Sequence, residues 1–432
     1  MKQRSIDAAQ AIFSAALEAA DPYGLTRLQA ERIVRAGEGK KIVVTGFGKA
    51  AYAMAQAVEE LAGNLISGGI IIAKYGHGGR EKIGRIRVRE AGHPIPDDKG
   101  VKATEELIRT IKASPPDSPC ICLISGGGSS LLASPWEGIS LQEKQRITAI
   151  LLRAGADVTE LNTVRKHISR VKGGRLAEIA FPRPVLSLIL SDVIGNRLDV
   201  IASGPTAPDS TGHKDAWDVL RKFNLLEKAP LSVVSILDKG MEGRIPETPK
   251  GDSPVFQAVE NLIIGSNSQA MEKARLRAES MGFITDLTPE PVTGEAREAG
   301  RKIAQQALRL KKEKGEGPPL CIISGGETTV TVTGNGKGGR NTELALAFAM
   351  EIGEAEGITL LSAGTDGTDG PTDAAGAVVD KGTMQAAKAR GLDPLEYLRN
   401  NDSYSFFREI NGLVITGPTG TNVMDIQIVV IE

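Results

Sequence analysis

The sequence predicts a chain of two α/β domains, and three observations carry that prediction. Short apolar runs alternate with amphipathic helical stretches, most of the runs end in glycine, and the alternation breaks once, over MEGRIPETPKGDSPV (241–255). That stretch is rich in Pro, Gly and charge and has no periodicity. A chain of 432 residues is long for one domain and ample for two. The expected domains are therefore 1–243 and 255–432, with the stretch between them as a hinge.

The elements follow in order. An opening helix pair precedes KKIVVTGFGKAAYAMAQAVEEL, which reads as a strand from Ile42 to Thr45, a glycine turn and an amphipathic helix. GGIIIAK, RIRVREAGHPIPD, CICLISGGGSSLL and PVLSLILSDVIG are further β-rich runs, separated by helical stretches such as SLQEKQRITAILLRAG. This alternation predicts a parallel sheet with helices on both faces. In the second half NLIIGSNSQAMEKARLRAES, LCIISGGETTVTVTG, NTELALAFAMEI, ITLLSAGTDGTDG, GLVITG and DIQIVVIE repeat the alternation. Two strand ends share Ser-Gly-Gly, and ligands of open α/β sheets sit beyond strand carboxyl ends. The expected active site is therefore a cleft where two such edges face each other.

Composition removes several classes. The net charge of -1 offers no general field for nucleic acid or anionic membrane, and aromatics at 4% argue against stacking on bases. Cys120, Cys122 and Cys321 lie in or beside apolar runs and read as buried hydrophobes in a reducing compartment. No apolar run approaches the ~18 residues that cross a bilayer, and the amphipathic N-terminus lacks a secretory core, so the expectation is a cytoplasmic protein, monomer or homodimer.

Anion binding must then be local. Ser125, Gly126, Gly127, Gly128, Ser129 and Ser130 offer unhindered N–H groups and hydroxyls at a strand mouth, where a phosphate is readily wrapped. The loop contains no lysine. Lys49, after Gly46 and Gly48, stands where a helix begins and where the macrodipole prefers an anion. Asp192 follows a fully apolar run and is the candidate general base or metal ligand of the first half; an ordinary helix cap is the plainer alternative. The basic run around Arg165, Lys166, His167, Arg170, Lys172 and Arg175 reads either as a solvated helix face or as cations approaching an anionic substrate, with His167 structural. SGPTAPD (203–209) suits a pocket lining.

In the second half, Glu327 follows Ser-Gly-Gly, and Lys337 and Arg340 sit on glycine-flexed backbone before a helix, again a place that asks for an anion. Thr365, Asp366, Asp369 and Asp373 follow a strand; without the closing Glu of an EF-hand they suggest Mg²⁺ or nucleotide hydroxyl contacts.

Taken in order, GFGKA, GHPIPD, SGGGSSLL, LNTVRKHIS, KGGRLA, LSDVIGNRLDVIASGPTAPD, SGGETTVTVTGNGKGGRNTELALA and LSAGTDGTDGPTDAAGA resemble the glycerate 2-kinase family, with its C-terminal MOFRL-type domain. The resemblance spans the chain. It implies an N-terminal Rossmann-like doubly wound sheet, a C-terminal MOFRL-type α/β domain, and ATP-dependent phosphorylation of D-glycerate to 2-phosphoglycerate with Mg²⁺ or another divalent cation. It also implies that Lys49, Asp192 and Arg340 are the catalytic set, Lys49 and Arg340 holding substrate or transferring phosphoryl group. Gly126 to Ser130 would then cradle ATP phosphates, with Glu327, Thr365 and Asp366 toward the adenosine.

Two rivals stay open. A nicotinamide-dependent hydroxypyruvate reductase is a label this family also bears, but GFGKAAYAM lacks the third glycine of a full dinucleotide fingerprint. A non-catalytic ligand-binding protein would bind without turnover.

Overall fold

The computed structural model describes residues 2–432 and divides them into two compact units: Pro22–Ile264, and the chain up to Asp21 together with Gly265–Glu432. This division differs from the one expected at both ends of the first domain. The opening helix Lys2–Ala19 packs on the helix Asn267–Ser280, and Ser5 and Thr421 tie it down by bonds to Glu432 and to the Ala20 carbonyl. The first unit also continues past 243 and through the non-periodic stretch, because the strand beginning at Val259 joins the first sheet.

The strands of the first sheet are β1 (Ile42–Phe47), β2 (Ile66–Lys74), β3 (Lys82–Ile83), β4 (Ile86–Ala91), β5 (Cys120–Ile124), β6 (Val185–Leu190) and β7 (Val259–Gly265), in spatial order β3-β4-β2-β1-β5-β6-β7. The pairs β1 with β2, β2 with β4, β1 with β5, and β5 with β6 are parallel; only the short β3 is shown antiparallel to its neighbour. Every residue of β1, β5 and β6 is buried, as continuous apolar runs covered on both faces should be. Cys120 and Cys122 sit in that core, where burial pushes the Cys120 thiol up to about 11.

The second sheet comprises β8 (Ile284–Leu287), β9 (Leu320–Gly326), β10 (Ile358–Gly364), β11 (Gly376–Val379), β12 (Leu413–Val414) and β13 (Asp425–Ile431), ordered β12-β11-β10-β13-β9-β8. It is mixed and mostly antiparallel. The β9–helix–β10 segment runs as the alternation predicts, but β13 inserts antiparallel between β9 and β10, and β11 returns beside β10 without a helix between them. Strand direction depends on the connection, which the apolar run alone does not encode. Helices Ala296–Lys314 and Arg340–Ile352 pack together and supply much of this unit's core, around Leu344, Phe348 and Ile352.

Candidate active site

In the first sheet β2 and β5 flank β1, so the strand order reverses at β1 and the crevice beyond its carboxyl end is the place for a ligand. The loops after β1, β5 and β6 meet there. The Lys49 N–H donates to the Gly126 carbonyl at 2.9 Å, the Ala50 N–H to Ser125 Oγ at 3.0 Å, and the Ser125 N–H to the Phe47 carbonyl at 3.2 Å. The helix after β1 starts at Ala51, so Lys49 precedes it and its side chain passes beside Gly127 and His93.

The glycines are dictated by this closeness. Gly48 has φ of +129°, and a Cβ on it would stand 2.1 Å from Ser125 Oγ. Gly127 lies at +80°, with the His93 ring 2.8 Å from where its Cβ would be; a Cβ on Gly128 would come within 2.9 Å of the Phe47 ring. Within the loop, the Gly128 and Ser130 N–H groups bond to the Ser125 and Gly127 carbonyls. Those of Gly126, Gly127 and Ser129 have no acceptor among the described residues and are the donors available to an anion.

Asp192 follows the buried Ser191 at the end of β6, and no α-helix begins there; the next starts at His213. Asp192 and Gly127 to Ser130 line one pocket of about 820 Å³ with His93, Lys144, Asn162 and Arg165. Asp192 is its only acidic lining residue. The pocket floor is held by a chain of hydroxyl contacts, Ser129 Oγ to Ser203 Oγ at 2.8 Å and Ser203 Oγ to Asn162 Oδ1 at 2.9 Å. Ala202 and Ser203 adopt φ of +51° and +63°, a left-handed pair without a glycine side-chain exemption, which is the kind of strain kept where a site needs the backbone so.

The positive charge is larger than Lys49 alone. Lys172 is wholly buried and donates from Nζ to the Ser129 carbonyl at 2.7 Å and to Ser129 Oγ at 3.1 Å. Burial, then Lys144 and Arg165 beside it, hold its ammonium well below the usual lysine range. Lys144, 4% exposed, is lowered to about 8 by burial and by Arg165. Among the described residues neither Lys144 nor Arg165 nor Lys172 has a carboxylate partner. Two buried cations and a part-buried one, with no carboxylate partner among the described residues, favour a polyanionic ligand. Lys144 was not legible as a site residue, because it sits inside SLQEKQRITAILLRAG, whose amphipathic pattern reads as a surface helix. Other members of the basic run are structural: Lys166 pairs with Asp209, and Arg175 lies over the Trp136 ring and donates to the Pro246 carbonyl.

The second unit treats its cation differently. Arg340 opens the helix Arg340–Ile352 and forks onto Asp425, with Nη2 2.9 Å from Oδ1, while Nη1 bonds Glu327. The anion that its position asks for is thus supplied by the protein. Asp369 caps the same helix, accepting from the Asn341 N–H at 2.9 Å, the Thr342 N–H at 2.8 Å and Thr342 Oγ1 at 2.7 Å; burial lifts its carboxyl to about 6. Asp373 accepts from the Tyr404 hydroxyl. Thr365 is buried, donating to the Met424 carbonyl at 2.6 Å and accepting from the Val423 N–H at 2.8 Å. Asp366, half-buried, accepts from the Thr368 N–H and hydroxyl.

Two family models match the chain: residues 8–238 match a domain of unknown function (DUF4147), and residues 320–425 match the MOFRL family. The chain is 45% identical over 389 residues to the D-glycerate 2-kinase of Thermotoga maritima, covering 90% of each chain. A crystal structure of glycerate kinase from the same organism superposes with a TM-score of 0.87 at 43% identity, over 100% of both chains. A protein of Agrobacterium vitis named putative hydroxypyruvate reductase is 39% identical over 424 residues, 97% of this chain and 93% of its own.

Proposed function

The chain belongs to the glycerate 2-kinase family, and from that premise we propose that it transfers the γ-phosphoryl group of ATP to the 2-hydroxyl of D-glycerate, releasing 2-phosphoglycerate and ADP. One observation supports this most: Lys49, the N–H groups of Gly126, Gly127 and Ser129, and Asp192 converge at the strand-order reversal beside three cations that lack a carboxylate partner among the described residues.

In such a transfer a bond forms from the substrate oxygen to the γ-phosphorus as the bond to the β-phosphate oxygen breaks. Positioning and neutralisation do most of the work. The loop N–H groups hold phosphate oxygens; Lys49, Lys144, Arg165 and Lys172 balance their charge. Asp192 orients the 2-hydroxyl and receives its proton as the new bond forms. A single carboxylate beside a phosphate cradle also fits Mg²⁺, which takes one or two carboxylates along with substrate phosphates. When bound, that ion would neutralise charge on the β- and γ-oxygens. Arg340 is carried forward as a proposed holder of the substrate or of the transferring phosphoryl group, through the two N–H bonds its carboxylates leave unused, and Glu327, Thr365 and Asp366 as proposed nucleotide-contacting residues.

Phosphorus NMR of protein with D-glycerate, ATP and Mg²⁺ tests the reading. The expected product is 2-phosphoglycerate, with turnover in Lys49→Ala reduced about 10²-fold or more, as for the loss of one electrostatic donor. No phosphoglycerate, with NADH oxidised by hydroxypyruvate in parallel, would replace the kinase by the reductase.

A further inference from the structure

Two of the four histidines are brought together in the first unit, by elements with no sequence-level link. His167 closes the helix Val158–His167, His213 opens the helix His213–Lys222, and their rings meet edge to face with centroids 4.8 Å apart. Both side chains are completely buried. Glu247, from the non-periodic stretch, reaches between them. Its Oε2 is 3.3 Å from His167 Nε2 and its Oε1 is 3.0 Å from His213 Nδ1. One ligand-capable atom from each of the three residues lies within 4.8 Å of the others.

The protonation pattern of His167 is fixed by its back. Its Nδ1 is 2.8 Å from the Thr163 carbonyl oxygen, which can only accept, so Nδ1 carries the ring proton. Its Nε2 is the ring nitrogen left to face the Glu247 carboxylate, with Asp209 Oδ2 at 3.9 Å. Glu247 accepts from the His213 backbone N–H at 2.8 Å and from Lys250 Nζ at 3.3 Å, but His167 Nε2 and both ring nitrogens of His213 are buried without an aligned hydrogen-bond partner among the described residues. Asp209 does not supply one, since Lys166, Thr211 and Thr248 already occupy its oxygens.

A metal cation shared by the three residues would give those ring nitrogens a partner. A ring nitrogen with its lone pair forward and its other N–H on a backbone carbonyl is the arrangement metal-ligating histidines adopt. Donors on neighbouring corners of a tetrahedral zinc site stand roughly 3.3 Å apart, given metal–ligand lengths of about 2.0–2.2 Å. Imidazole suits zinc, nickel or copper; magnesium prefers an all-oxygen shell.

We propose that His167, His213 and Glu247 bind a divalent transition metal of the zinc class, a structural clip that fastens the segment around Glu247 to the ends of two helices. The site is separate from the phosphoryl-transfer residues in membership and in metal preference.

The test uses the full chain without a histidine tag, stripped with chelator and dialysed. Zinc is added alone and counted by elemental analysis after gel filtration; cobalt is added alone and followed by its visible spectrum. The expected result is one zinc per chain, a tetrahedral cobalt spectrum that millimolar Mg²⁺ leaves unchanged, and a rise in Tm on zinc addition. In Glu247→Gln, whose side chain is 41% exposed and whose substitution is the milder one, bound zinc falls to background and the Tm rise disappears. His213→Ala behaves alike where it folds. Wild-type protein that folds normally yet takes up no zinc and gives no cobalt spectrum overturns the proposal without any variant. So does displacement by Mg²⁺, or Glu247→Gln that binds as the wild type does.

Discussion

Lys172 in the first unit and Arg340 in the second are both cations at the mouth of a glycine-rich strand end, yet their electrostatics are opposite. Lys172 is wholly buried on a carbonyl and a hydroxyl, with Lys144 and Arg165 as its charged neighbours. Arg340 is clamped by two carboxylates, and the buried Asp425 is satisfied by it in turn. The first cation is a cost to the fold that a ligand would offset; the second is part of the fold. A motif of glycine and a basic residue therefore does not say whether the counter-ion is the ligand or the protein, and only the partners decide.

The largest expected effect breaks the comparison from the Arg340 side. Arg340→Met leaves the 1%-exposed Asp425 carboxylate without its fork, and should lower folding stability by about 3 kcal/mol, the low end for a broken buried pair because Arg340 is itself about a third exposed. Urea unfolding measures it. A variant as stable as the parent would mean that Arg340 is not a structural cation at all.

Lys172→Met should do the reverse. The substitution keeps the side chain's length and removes a desolvated charge, so unfolding in the absence of ligand should change by less than about 1.5 kcal/mol. What it should lose is most of the thermal protection given by ATP, which for wild type reaches about 2.7 kcal/mol at a hundredfold excess over Kd. Full protection in the variant would make Lys172 an ordinary core residue.

The smallest effect sharpens the contrast through pH. Lys144 titrates near 8 in the folded protein, below its unfolded value, so between about pH 8 and 10.5 the unfolded chain binds more protons and ligand-free stability gains from rising pH at this residue. Anion binding prefers the protonated form and has the opposite sign. ATP-dependent protection should therefore be greatest below pH 8 and shrink above it, and Lys144→Met should flatten that dependence. A wild-type profile already flat across pH 7–9.5 would remove Lys144 from the anion site.

Much of the first unit can be read from the chain. Continuous apolar runs such as CICLI and VLSLIL can only be strands covered on both faces, and in a parallel sheet their carboxyl ends share one edge, which brings Lys49, Ser125 to Ser130 and Asp192 together. Lys144 escaped because a polar residue on an amphipathic helix is assigned outward unless its tertiary neighbours are known. Asp369 and Thr365 are polar residues whose partners, Thr342 and Met424, lie tens of residues away, so their use in capping and loop closure has no local signature. His167 read as structural; its meeting with His213 and Glu247 depends on three separate segments.

The path of the chain has a further consequence for biosynthesis. The helix Lys2–Ala19 is made before Pro22–Ile264, yet its packing partner Asn267–Ser280 and the central strand β13 of its sheet come after the whole of that unit. At ribosomal speeds of about 5–20 residues per second, that amphipathic helix waits roughly 20–80 s for β13 to emerge. During that interval the intervening unit has every contact of its own sheet and can fold behind it, so a nascent chain arrested near Gly265 should present a finished first unit and a bare, chaperone-accessible helix Lys2–Ala19.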